Sequence, residues 1–311
     1  MDILSKISKV RLLQYTGLKT VGAKQIRTKS TQPLELSYRI HGPSPRPGSV
    51  PIFVLHDCLA SKKNWETFCH KITVPTNMTV IAADARNHGD SPHHSSHGYY
   101  DQAADVSHLL AKFSVEKGIF IGHGMGGRTA MVLALTEPTK VASMIVVDIS
   151  PVSTSCGLAD FYPKTIDALS TMDFKGMNIN TAEQTARNKM IENNLFQTEK
   201  ELDYMLMNVG KLKNRTYGWK YNLGALRKNV DNIVSFPKLN KKQYPGPVLF
   251  LGGKLSFAIP FEDMPGILKI FPRAQILYID GAGHNAHVDQ PQTFYDTVMQ
   301  FLHYNSLMQT A

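Results

Sequence analysis

Residues 118–130 read GIFIGHGMGGRTA, an apolar run that meets a glycine-rich turn and passes into small, helix-forming residues. Few stretches constrain a chain more, because strand, tight turn and helix in thirteen residues require a buried parallel strand whose return is a packed helix. The same rhythm recurs on both sides. PIFVLH (51–56), MTVIAAD (78–84), ASMIVVDIS (142–150), PVLFLGG (247–253) and QILYID (275–280) are short apolar runs, spaced by segments of helical pattern such as 100–113 and 262–271. LELSYRIH (34–41) alternates like an exposed edge strand. Between Pro151 and about Tyr244 the alternation stops and only helical patterns are found, among them FYPKTIDALSTM, TAEQTARNKMIENNL and EKELDYMLMNV. A mostly parallel α/β sheet formed by 34–150 and 245–311, interrupted by a helical insertion over 151–244, is the predicted architecture.

Two functional elements share the strand–turn–helix shape. Gly122, Gly124 and Gly127 fit the dinucleotide pattern G-x-G-x-x-G, with Asp148 about where an acidic residue would hold a ribose. Gly122-His123-Gly124-Met125-Gly126 also fits the frame of a nucleophile elbow, G-x-S-x-G, except that its centre is glycine. Three strands precede this one, and a long helical block follows Asp148, whereas a dinucleotide fold opens on its fingerprint and continues strand–helix–strand. The elbow frame predicts a late glycine-rich turn carrying histidine, and Gly281-Ala282-Gly283-His284 is one. It also predicts a loop after an early strand that lends a backbone N–H to an oxyanion, and His56-Asp57-Cys58-Leu59-Ala60-Ser61 occupies that place.

The blocks HDCLASKKNW, DARNHGDSPH, GHGMGGRTAM, VVDISPV, LFLGGKLSF, FPRAQ and AGHNAHVDQP resemble the α/β-hydrolase family, and the resemblance spans nearly everything after the first 33 residues. It implies an α/β-hydrolase fold with a helical cap inserted after the family's sixth strand, and mitochondrial ester or acylglycerol hydrolysis. Residue by residue it assigns the nucleophile position to Gly124, the histidine to His284, and the oxyanion-hole backbone to Cys58 and Met125. It offers Asp148 as the acid, with Gly224 at the position used by an alternative assignment. The departures sit around one transition state: glycine for the serine of GHSMGG, Asp57 where the family has glycine, and Ala60 for another glycine of the same loop. Glycine has no group with which to attack a carbonyl, and losing a triad serine costs about 10⁶ in turnover.

Composition limits the other classes. Of 311 residues, 42% are hydrophobic and 19% charged, which suits one sizeable core, and no apolar run is long enough to span a membrane. The net charge of +9 would suggest nucleic acid, but residues 3–34 hold seven basic and no acidic side chains, and beyond them 27 basic face 24 acidic residues. A basic, Ser/Thr-bearing segment with apolar and basic helix faces has the composition of a mitochondrial transit peptide, expected over residues 1–33 and directing the chain to the matrix. Cys58, Cys69 and Cys156 show no metal or disulfide spacing and are read as free thiols. The histidines of HHSSH (His93, His94, His97) are read as loop residues, Arg86, Asn87 and Asp90 as braces, and the cap methionines as an apolar lining. No metal, cofactor or nucleic acid is expected. The expected role is impaired or absent serine-hydrolase activity with binding of an acyl-bearing ligand, lipid or protein partner. The alternative is an active ester or acylglycerol hydrolase working through His284.

Overall fold

The computed structural model describes residues 32–154, 156–196, 198–239 and 242–307. All but the last two residues of the expected transit peptide lie outside them.

Nine strands are described: β1 (Tyr38–His41), β2 (Ile52–Leu55), β3 (Val80–Ala83), β4 (Gly118–His123), β5 (Val141–Val147), β6 (Val209–Lys211), β7 (Tyr217–Trp219), β8 (Val248–Gly253) and β9 (Ala274–Ile279). Seven form one sheet in the order β1-β3-β2-β4-β5-β8-β9. All its pairings are parallel except that of the edge strand β1 with β3. Apart from His123 and Ser143, the central strands are apolar because both faces are covered. Ile52, Val54, Ile119, Ile121, Ile145, Val147, Leu249 and Leu251 join one core, with helices Glu66–Thr76 and Pro291–Tyr304. The alternate residues Phe53, Leu55, Phe120, Met144, Val146, Val248 and Phe250 join the other, with helices Tyr99–Lys112 and Met125–Thr136. The two-residue period of a strand thus divides one apolar run between two cores. β1 is shorter than the alternation over 34–41 predicts. Leu34 N–H goes to Asp105 Oδ1 (2.7 Å) and Ser37 N–H to Ser91 Oγ (2.8 Å), so these donors serve side chains rather than a ladder.

Strand order reverses between β2 and β4: the chain moves outward from β2 to β3 and then returns to β4 on the other side of β2. Loops leaving the carboxyl ends of such neighbours diverge, and a crevice opens there. Register then places individual residues. Leu55 pairs with Gly122 and His123 with Val147, so Asp57, Gly124 and Asp148 leave three adjacent strands at nearly one level.

The insertion follows β5, the strand predicted to precede it. It contributes helices Cys156–Ser170, Ile179–Glu192, Glu199–Leu206, Leu223–Lys228 and Val230–Val234. It is not all helical as the sequence suggests: β6 and β7 form an antiparallel hairpin, Val209 opposite Trp219. Three residues per strand are too few for a period of two to stand out against helical neighbours. Cutting Phe120, fully buried and stacked on Phe53 at 5.3 Å, to alanine is expected to lower the unfolding free energy by about 3–5 kcal/mol. Urea denaturation measures this, and an effect below about 1 kcal/mol would contradict the packing described.

Candidate active site

The turn after β4 is the elbow in backbone form. Gly124 has φ 48° and ψ −111°, a region that side-chain-bearing residues enter only under strain. Its N–H bonds Val147 C=O (3.0 Å), and its C=O accepts from Arg128 N–H (3.1 Å) as the helix begins. The glycines of this turn pack strand against helix: a Cβ on Gly122 would lie 2.5 Å from Gly126 C=O. Where a side chain would leave Gly124, another residue already stands. A Cβ built there would meet Asp57 Oδ1 at 1.9 Å.

Asp57 is buried and held from three directions. Met125 N–H donates to Oδ1 (2.7 Å), while Tyr162 O–H (2.9 Å) and His284 Nε2–H (3.0 Å) donate to Oδ2. The backbone donor expected to stabilise an oxyanion therefore holds a resident carboxylate. Burial opposes ionisation of Asp57. The hydrogen bond from His284, the charge of His284 and the Met125 N–H outweigh it and keep the carboxyl below the usual carboxylate range. Cys58, the other residue expected to supply oxyanion-hole backbone, is buried beside it. Burial and then the Asp57 charge push its thiol well above the usual range, so it is no thiolate nucleophile.

His284 lies between two carboxylates. Nδ1–H donates to Asp148 Oδ2 (2.7 Å) and Nε2–H to Asp57 Oδ2. With an acceptor at each ring nitrogen, the imidazole is doubly protonated. Burial alone would lower its pKa, but the bonds to Asp148 and Asp57 raise it to about 10. Asp148, at φ 50°, also accepts Gly253 N–H (3.0 Å) and Ser256 Oγ–H (2.6 Å). The loop after β8 thus orients the acid rather than supplying one. Gly224 sits exposed in a short helix of the insertion, and a Cβ there would meet only Asn222 Oδ1, at 3.9 Å. Nothing of the Asp148–His284 pair is near it.

His123 is fully buried; its Nε2–H donates to His284 C=O (2.9 Å) and its Nδ1 finds no partner among the described residues. Burial and then the charge on His284 lower its pKa to about 4, so it is neutral. Asp57, His123 and His284 bring one ring nitrogen or carboxylate oxygen each within 4.8 Å of one another, but a doubly protonated His284 has no lone pair to offer a cation. His93, His94 and His97 form no such group. His94 Nδ1 is tied to Ser96 (2.9 Å), and His97, buried, faces Asn87 Nδ2 (3.3 Å) and Met125 Sδ (3.2 Å).

The bracing residues act as the sequence suggests. Arg86 grips Asp105 through Nε and Nη2 (both 2.7 Å), and Asp90 pairs with Lys62 (2.8 Å) and with Lys220 of the insertion. Asn87 accepts at Oδ1 from His94 N–H (2.7 Å) and Asn222 Nδ2 (3.0 Å). Met190 and Met205 of the insertion are buried in its apolar interior, whereas Met207 is partly exposed, at 43%. Tyr162 went unrecognised in the sequence, where one tyrosine in a helical pattern carries no signal; only the packing of the insertion brings its hydroxyl to Asp57.

These shifts predict a pH dependence of stability. His284 is raised from about 6.5 to about 10, so its contribution is complete below about pH 6.5 and is lost as pH rises through 10. Asp57 is lowered, so its contribution is present above its unfolded value of about 4 and declines as pH falls. Urea midpoints are expected to be highest between about pH 4 and 6.5, with an alkaline decline that is shallower in Asp57→Asn. Equal alkaline declines in the two proteins would contradict the charged pair.

The model of the alpha/beta hydrolase fold family matches residues 51–291. Over 285 residues the chain is 35% identical to a protein of Xenopus tropicalis named sn-1-specific diacylglycerol lipase ABHD11, covering 90% of this chain and 86% of that one. It is 26% identical to the esterase YbfF of Escherichia coli strain K12, covering 86% and 99%. Among solved structures, a marine microorganism esterase superposes with a TM-score of 0.75 at 30% identity, covering 86% of this chain and all of that one. Sheet, elbow and comparisons agree, and the chain belongs to the α/β-hydrolase family.

Proposed function

We propose that this chain has given up serine-ester hydrolysis and uses the family's site to bind a lipid or other acyl-bearing ligand. The observation that carries the reading is the Asp57 carboxylate, bonded to Met125 N–H and lying where a residue-124 side chain would project. Serine hydrolysis needs an attacking hydroxyl and an empty donor for the negative charge that develops. Position 124 lacks the first, and Asp57 removes the second. The relatives named diacylglycerol lipase point to a glycerolipid or its acyl chain as the ligand class, with residues 151–244 acting as a cap. The basic composition of residues 1–33 supports delivery to the mitochondrial matrix. The intact Asp148–His284 pair favours a second reading, slow hydrolysis of ester or acylglycerol by a water that His284 directs.

Turnover of short- and medium-chain acyl esters separates these readings. The native protein and Gly124→Ser alone are expected to stay at background, since a Cβ at 124 would sit 1.9 Å from Asp57 Oδ1. Combining Gly124→Ser with Asp57→Gly restores nucleophile and donor together, and is expected to raise turnover by at least about 10³-fold. A native rate well above background that disappears in His284→Ala would support the second reading. Full rescue by Gly124→Ser alone would show that Asp57 does not block the site.

A further inference from the structure

We propose that this chain pairs with a second copy of itself along the free edge of β9, the two strands running antiparallel about a two-fold axis at Leu277. The inference is independent of what the crevice binds and rests on the outer edges of the sheet.

The seven-stranded sheet has two edges, β1 and β9. A free edge offers a row of backbone N–H and C=O groups to any strand, and proteins blunt such edges with short strands, charges, proline or bulges. β1 is guarded in this way. It is four residues long, carries Arg39 paired with Glu66, and runs straight into Gly42-Pro43. β9 has none of these devices. Its six residues, Ala274-Gln275-Ile276-Leu277-Tyr278-Ile279, include no charge and no proline, and they keep register with β8 from end to end without a bulge. Among the described residues β9 pairs only with β8, so the backbone groups along its other side meet no strand. Apolar side chains gather at the same edge: Leu277 is 45% exposed at mid-strand, and Phe261, 69% exposed, packs on the Tyr278 ring at 5.1 Å.

The edge selects its occupant. A lipid leaflet would cover Leu277 and Phe261 but leave the backbone groups unpaired in an apolar medium, whereas a strand satisfies both. Charge selects the direction. Arg273, exposed, precedes β9, and Asp280, exposed and shared with Lys254 (2.5 Å), follows it. An antiparallel copy sets Arg273 of one chain and Asp280 of the other at the same end of the ladder, whereas a parallel copy sets like charges side by side. Identical strands paired in this way close about a two-fold axis, so association stops at two chains. Side-chain parity then fixes the register. Residues directly opposite share a face, and a two-fold perpendicular to the sheet keeps each face on its own side. Opposite residues are therefore both odd or both even in number, and the axis passes at a residue rather than between two. Centring on Leu277, the apolar side chain most exposed in the strand, brings it against its own copy and uses the strand from Gln275 to Ile279. Gln275 then meets Ile279 and Ile276 meets Tyr278, so Phe261 stands beside Ile276 of the second copy.

The test is the mass of the full chain in solution, by sedimentation equilibrium over a range of concentrations. A dimer is expected for the native chain and a monomer for Leu277→Lys, which sets two ammonium-bearing side chains opposite each other with Cβ atoms about 5 Å apart. Circular dichroism checks that this variant is folded. Cysteine substitution reads the register. Leu277→Cys is expected to form a covalent dimer under mild oxidation, absent from the native chain, because directly opposite residues lie within disulfide range. Gln275→Cys is expected to form none, because its two copies stand about 13 Å apart along the ladder. A native monomer at every concentration, a dimer that Leu277→Lys leaves intact, or cross-linking of Gln275→Cys as strong as that of Leu277→Cys overturns the proposal. The native mass and the cysteine variants introduce no charge, so poor folding of the lysine variant does not blunt the test.

Discussion

The hydrogen bond from Met125 N–H to Asp57 Oδ1 is the contact around which the crevice is organised. It joins the loop after β2 to the first residue of the helix after β4, across the point where strand order reverses. The glycine between strand and helix makes it possible, since a side chain there would occupy the carboxylate's place. Because β2, β4 and β5 end level, the same carboxylate can share His284 with Asp148.

That sharing sets the electrostatics. An imidazolium between two buried carboxylates leaves the group with one net negative charge in a setting that disfavours isolated ions. Donors from outside the triad make it tolerable: Met125 N–H and Tyr162 O–H on Asp57, Gly253 N–H and Ser256 Oγ–H on Asp148. One of these comes from the insertion, so its packing and the charge state of the site are linked. His123, packed on His284 at 4.6 Å between ring centroids, stays neutral because a second imidazolium there would be both desolvated and repelled.

The chain keeps the scaffold of the α/β-hydrolase family with glycine at the centre of the elbow turn. The sheet, the elbow's strained turn and the Asp148–His284 pair are all formed. The carboxylate that stands at the elbow comes from the neighbouring strand's loop and not from the turn itself. A carboxylate in that place disfavours an acyl transition state by filling its anion site.

Much of this was legible in the residues. The apolar strands, their order of appearance, the glycine turn and the late GAGH loop follow from periodicity and turn chemistry, which are local. His284 and the loss at Gly124 were readable because motif spacing fixes them. That Asp148 meets His284 needed the structure, since the partner of a histidine 136 residues away is a matter of register and loop path. The hairpin of the insertion was hidden by its brevity, and Tyr162 by the lack of any pattern around one hydroxyl. Asp57 marks the boundary most clearly. The residues placed a carboxylate in the loop expected to face an oxyanion; only packing decided that it points in. The sequence by itself determined which backbone could form and which groups were available, because those depend on neighbours along the chain. Tertiary structure alone decided which charges meet, because their energies depend on distance and burial that no local pattern encodes.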